Sequence, residues 1–265
     1  MNSEKDIDMP ARPRLRLLRH LGLAAVLGLG GGAAWAQEIV VSAAASLTNA
    51  FQAVGQAFEQ AHPGHKVTFN FAASGALLAQ MQQGAPVDVF ASADQPTMDK
   101  AVAARLIAEG SRADFVRNEL VLIVPAKRTQ TPAELKDLES DAYKRIATGT
   151  PASVPVGRYT QTVVEQAGLT AALQPKWIFS ESVRQVLDYV ARQEVDAGFV
   201  YRTDAIHRKD ETRIAFAVPT QTPVSYPIAQ VAASRQAATA QAFIAFVRGA
   251  QGQKILQGFG FSAVQ

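Results

Sequence analysis

The chain predicts an α/β fold of mainly parallel sheets, divided between two lobes. Three observations lead there. Short apolar runs of strand length alternate with segments whose apolar residues recur at helical spacing, from residue 39 to residue 256. Strand–helix–strand repetition of this kind builds parallel sheets covered by helices. Setting aside a 36-residue leader leaves about 229 residues, enough for one large domain or two lobes.

The leader comes first in the chain. Arg12, Arg14, Arg16 and Arg19 precede the apolar run Leu21–Ala34, and Ala34-Trp35-Ala36 supplies a small-x-small cleavage pattern. The run falls short of the roughly 20 apolar residues that span a bilayer, so residues 1–36 read as a cleaved secretory signal. Gly28-x-Gly30-x-x-Ala33 matches a dinucleotide fingerprint, but no strand precedes it and no βαβ unit contains it. The leader carries five basic and three acidic residues, leaving 21 basic and 20 acidic residues in the rest. The basic balance is thus largely the leader's, and no Lys/Arg stripe marks a nucleic-acid surface. The absence of cysteine excludes a disulfide scaffold and thiolate metal sites. No second long apolar stretch follows, so a soluble product is expected.

Ile39–Ser42 reads as a strand, followed by Leu47, Phe51, Val54 and Phe58 on one helical face and the breaker His62-Pro63-Gly64. Val67, Phe69 and Phe71 alternate as a second strand, and Ser74 opens a helix with Leu77, Leu78 and Met81 inward. Val87–Ala91 is a strand, with Asp94 as N-cap of the next helix and Pro96 in its first turn. Glu119–Val124 is a continuous apolar strand, and Thr131-Pro132 starts a short helix. A strand at 145–147, the loop TGTPASVPVGRY and a helix from about residue 158 to 166 come next. Lys176–Phe179 is a strand, SESVRQVLDYVARQ an amphipathic helix, and Ala197–Tyr201 an apolar strand. Tyr226–Ala233 is the last strand, before helices near 240–248 and 252–256. ELVLIV and the SYPIAQVAAS strand are the candidates for a hinge pair crossing between lobes.

The candidate site lies at strand-to-helix junctions. Ser46 and Ser74 each stand at one, among small residues (Ala43 to Ala45; Ala72, Ala73 and Gly75) that let a ligand approach the backbone. In a parallel sheet such junctions fall at the carboxyl ends of strands, where α/β folds bind ligands. A helix start offers unpaired N–H groups and the positive end of the dipole, the makings of an anion site. The alternative is that both serines merely cap their helices. Val156, after Pro155, and Val183, after Ser182, stand at two further helix starts, where N–H groups for a ligand and plain packing are the two readings. Tyr201 closes a strand and offers a hydroxyl; the alternative is a core-edge tyrosine bonded to water.

SAAASLTNAF, FAASGAL, GAPVDVFASAD, VPVGRY, SVRQVLDYV and AGFVYRTDA, in this order, resemble the periplasmic molybdate-binding proteins of bacterial ABC transporters over roughly Glu38 to Gln265. The resemblance implies a type II periplasmic binding protein fold, with lobe 1 at 37–117 plus 226–265 and lobe 2 at 118–225. It implies ligand contacts through hydroxyl and N–H of Ser46 and Ser74, N–H of Val156 and Val183, and the hydroxyl of Tyr201, touching molybdate or tungstate oxygens rather than the metal. It also implies a monomer in the periplasm that delivers to an inner-membrane ABC permease and needs no cofactor. Arg158 and Arg184, near these donors, read as solvated first-turn residues.

Other readings fare worse. A sulfate-specific or other oxyanion-binding relative is the nearest, and exchange of a donor for a carboxylate would signal a protonated ligand; Asp94 and Glu181 are the nearest carboxylates in sequence. A secreted serine hydrolase would need G-x-S-x-G, and Ala72-Ala73-Ser74-Gly75-Ala76 departs at both glycines. After the leader only His62, His65 and His207 remain, expected in polar, loop-like surroundings. His62 and His65 lack a third metal ligand.

Overall fold

In the computed structural model, which describes residues 37–264, the predicted periodicity becomes two sheets of five strands. The expected leader lies outside the described residues. The first half begins with β1 (Gln37–Ala44), a short 3-10 turn (Ala45–Leu47) and α1 (Thr48–Ala61). It continues through β2 (His65–Ala72), α2 (Ser74–Gln82), β3 (Val89–Ala91), α3 (Gln95–Ala103) and β4 (Ala113–Asn118). The chain then enters the second sheet with β5 (Leu120–Pro125), a 3-10 turn (Leu135–Glu139), β6 (Ile146–Gly149), α4 (Pro155–Gln166) and the single turn α5 (Thr170–Leu173). There follow β7 (Trp177–Ser180), α6 (Val183–Ala191), β8 (Ala197–Tyr201), α7 (Arg202–His207) and β9 (Thr212–Ala217). The chain returns to the first sheet with β10 (Val224–Gln230), then α8 (Ala237–Arg248) and α9 (Ala250–Gly258).

The two sheets share one plan. The first runs β2-β1-β3-β10-β4 and the second β7-β6-β8-β5-β9. In each, three parallel strands are extended by a strand running the other way: β10 is antiparallel to β3 and β4, and β5 to β8 and β9. Each sheet is therefore mixed, with four of its five strands running the same way and β10 or β5 reversed. Strands buried on both faces read as unbroken apolar runs, as LVLIVP in β5 does, with all six residues buried. The crossings between sheets fall at Asn118–Leu120 and between Ala217 and Val224. The two strands proposed as a hinge pair thus adjoin the crossings, and each lies wholly within one sheet.

Four elements were not legible in the pattern: β4, β9 and the short helices α5 and α7. β4 and β9 present few buried residues, and α7 is a six-residue helix, too short to show a period. The histidine expectation also needs correction. His62 stacks on Phe58 with ring centroids 4.4 Å apart, and His65, the first residue of β2, meets the same ring edge-on. Both are half-buried parts of an aromatic cluster that includes Phe246.

Candidate functional site

β1 and β2 lie side by side and in parallel, with Ala44 opposite Ala72, so both strands end at the same level. Ser46 and Ser74 follow those two ends. Across from them, β6 leads to Val156, β7 to Val183, and β8 ends on Tyr201. All five residues line one narrow cavity of about 10 Å³, bordered otherwise mainly by alanines such as Ala45, Ala73 and Ala93. Methyl groups at these positions let the surrounding backbone come close to whatever occupies the space.

Neither serine caps a helix. Ser46 lies inside the 3-10 turn, whose N-cap is Ala44, and Ser74 is the first residue of α2, whose N-cap is Ala73; no side chain bonds to either helix start. Ser46 Oγ instead lies 2.9 Å from Tyr226 Oη, and Ser74 Oγ accepts the Ala93 N–H at 3.0 Å. Both hydroxyls are buried. Ser182 behaves as the capping alternative demands, its Oγ accepting the Gln185 N–H at 3.2 Å.

The N–H groups of Val156 and Val183 occupy the first turns of α4 and α6, where no intrahelical acceptor exists. Gly157 allows α4 to sit directly on the end of β6: a Cβ there would stand 2.0 Å from the Gly149 carbonyl oxygen. Tyr201 Oη is buried and has no hydrogen-bond partner in the protein. Leaving such a group unpaired costs about 1–3 kcal/mol, and Tyr201 borders the cavity. Burial pushes its pKa well above the ordinary tyrosine range, so it stays a donor.

The two arginines correct the sequence reading. Arg158, on α4, places Nη2 at 2.6 Å and Nε at 2.7 Å from Asp94 Oδ2, and donates to Thr97 Oγ1 at 2.7 Å. Arg184, on α6, donates to Asn49 Oδ1 at 2.8 Å and to the Ser46 carbonyl at 3.4 Å, while its Nε lies 2.7 Å from Asp204 Oδ1. Each guanidinium therefore spans the two halves of the molecule rather than standing in solvent. A third tie is the bond from the Gly75 N–H to the Ser153 carbonyl at 3.0 Å, an approach that any side chain at 75 would block. Asp204 also accepts the Tyr201 N–H at 3.3 Å, fixing the strand end that carries the hydroxyl. Burial pushes the Asp204 carboxyl up from its ordinary pKa, and the Arg184 charge opposes that push.

The two carboxylates nearest in sequence do not enter the cavity. Asp94 is spent on Arg158 and on the Thr97 N–H of α3, the helix it caps as expected, and Glu181 is exposed. Among the described residues no group of three His, Cys, Asp or Glu side chains is placed to hold a metal ion.

Two mixed sheets flanked by helices, joined by two crossings and facing each other over a cavity, define a two-lobed binding protein of the type II periplasmic class. The model of the bacterial extracellular solute-binding protein family matches residues 39–262, and the chain belongs to that family. The molybdate-binding protein ModA of Escherichia coli is 35% identical over 235 residues, covering 85% of this chain and 89% of that one. The protein of the same name from Haemophilus influenzae is 32% identical over 244 residues, 90% of this chain and 95% of that one. Among solved structures, the periplasmic molybdate-binding protein of Azotobacter vinelandii superposes with a TM-score of 0.77 at 24% identity, covering 86% of this chain and 100% of that one. The sulfate-binding protein SubI of Mycobacterium tuberculosis reaches 0.79 at 20% identity, over 86% and 88%. At those identities the two structures speak for the fold alone.

Proposed function

We propose that the chain binds molybdate, and tungstate nearly as well, in the cavity between its lobes and delivers it to an inner-membrane ABC permease. The lobes are 37–117 with 226–265, and 118–225, except at the ends of β4 and β10, where Asn118, Val224 and Ser225 pair within the first sheet. The protein acts as a monomer in the periplasm, released there by cleavage of residues 1–36, and it is a binding protein rather than an enzyme. One observation carries the reading: the side chains around the cavity bear hydroxyls and no carboxylate, and helix starts face it from both sides. The names of the relatives support the choice of ion.

Molybdate near neutral pH is a tetrahedral dianion without protons, so its oxygens only accept. Seven donors are at hand: hydroxyl and N–H of Ser46 and Ser74, N–H of Val156 and Val183, and the hydroxyl of Tyr201. At roughly 1.5–3 kcal/mol for each charge-assisted bond, their sum brackets the ~12 kcal/mol of nanomolar binding, before the costs of ordering. No cationic side chain is required. Hydrogenphosphate would bury its proton against a donor, at a cost of ~1–3 kcal/mol. Sulfate shares the charge but is smaller, so size must exclude it, and tungstate matches molybdate in both respects. Ion binding selects the closed arrangement, in which donors of both lobes reach one ligand.

Titration calorimetry of the chain from residue 37 with molybdate, tungstate, sulfate and phosphate tests this. Tight binding of the first two alone is expected. Tight sulfate binding without molybdate binding would transfer the site to the smaller ion, and tight phosphate binding would refute the all-donor reading.

A further inference from the structure

The 2.9 Å contact between Ser46 Oγ and Tyr226 Oη leaves open which oxygen donates. Neighbouring bonds decide it. Asn118 Oδ1 accepts the N–H of Glu119 at 2.9 Å, which identifies the oxygen end of that amide. Its Nδ2 therefore faces Thr203 Oγ1 at 2.9 Å and Tyr226 Oη at 3.3 Å, and donates to both. Tyr226 is wholly buried, and Ser46 and Asn118 are its hydroxyl's partners. Were Ser46 to donate to it as well, the tyrosine proton would have no acceptor, the costly arrangement in a dry interior. Tyr226 thus donates to Ser46, and the proton of Ser46 is left for the cavity. Burial also pushes the Tyr226 pKa well above the ordinary range, so the phenol keeps the proton it passes on.

We propose that Asn118 and Tyr226 are positioning residues, forming a one-way chain of donated hydrogen bonds that holds the Ser46 hydroxyl as a donor to the ligand and so favours oxyanions carrying no proton. The proposal rests on the oxyanion reading above and adds a source for its selectivity. Ser74 receives the same instruction from the backbone, through the Ala93 N–H. Only the Ser46 branch runs through side chains, so only it can be switched by substitution. Asn118 closes β4 at the crossing, Tyr226 lies in β10 and Thr203 in α7, so the chain is complete only when the two halves and the crossing are assembled.

The test is a double-mutant cycle of Tyr226→Phe and Ser46→Ala, read by calorimetry with molybdate, together with phosphate titrations of the wild type and Y226F. Phenylalanine keeps the ring and removes the relayed proton. Molybdate affinity is expected to fall about tenfold in the wild-type background and less than about twofold in S46A. The ratio of phosphate to molybdate affinity should rise in Y226F, because a freed Ser46 can turn its lone pairs toward a protonated oxygen. Equal losses in both backgrounds would assign Tyr226 to packing and overturn the relay, as would an unchanged ratio or wild-type affinity in Y226F. A wild type silent toward both molybdate and tungstate would instead remove the ligand reading itself, and the relay with it.

Discussion

The two halves of the cavity are built on one strand plan yet supply their donors differently. β1, β2 and β3 of the first sheet correspond in order to β6, β7 and β8 of the second. The first two junctions carry Ser46 and Ser74, each offering a hydroxyl and an N–H; their counterparts carry Val156 and Val183, which offer N–H alone. At the third, Ala93 turns its N–H onto Ser74, whereas Tyr201 borders the cavity and its buried hydroxyl has no partner within the protein. A helix start presents N–H groups whatever its side chain, so the second half depends on backbone placement and the first on residue identity as well.

That contrast can be broken by removing a backbone donor without touching a side-chain hydroxyl. Val183 is the first residue of α6, where proline is tolerated, and Ser182 before it is already extended (φ −158°, ψ 161°). Val183→Pro should weaken molybdate binding about thirtyfold or more, since a charge-assisted bond is lost and a ring carbon takes its place. Val183→Ala, which keeps the N–H, should stay within about threefold. Comparable losses in both, measured by calorimetry, would mean that the valine side chain matters and the amide does not.

Next in size are Ser46→Ala and Ser74→Ala. Each deletes a hydroxyl but keeps its N–H, so each should cost about tenfold in affinity, or ~1.5 kcal/mol. Unchanged affinity in both would reduce the first half to the same backbone-only design as the second.

The smallest expected effect sharpens the comparison from outside. Ser182 is a serine at a helix start that does cap. Ser182→Ala should lower unfolding stability by ~1 kcal/mol, seen in thermal melts, while molybdate affinity stays within about twofold. A larger loss of affinity than of stability would make Ser182 part of the site.

Much of the candidate site's layout was legible. The five candidate residues border one cavity because each sits at a junction that local pattern exposes: a strand, a run of small residues or a Pro-x-Gly, then a helix. The strands that pattern missed are those with little to bury, such as β9, an edge strand whose middle residues are all half-exposed. Arg158 and Arg184 were misread because a first-turn arginine looks the same in sequence whether it faces water or a carboxylate far along the chain, as Asp94 is from Arg158 and Asp204 from Arg184.

The sequence by itself determined where strands hand over to helices, and hence which N–H groups and hydroxyls stand at junctions, because periodicity and helix starts are properties of contiguous residues. Only the tertiary structure decided the partners. Tyr226 meets Ser46 across 180 residues of chain, and the ties through Arg158, Arg184 and the Gly75 N–H form between halves that share no local pattern. A hydrogen bond takes its direction from everything else its two atoms touch, and those neighbours become known only when the sheets have come together.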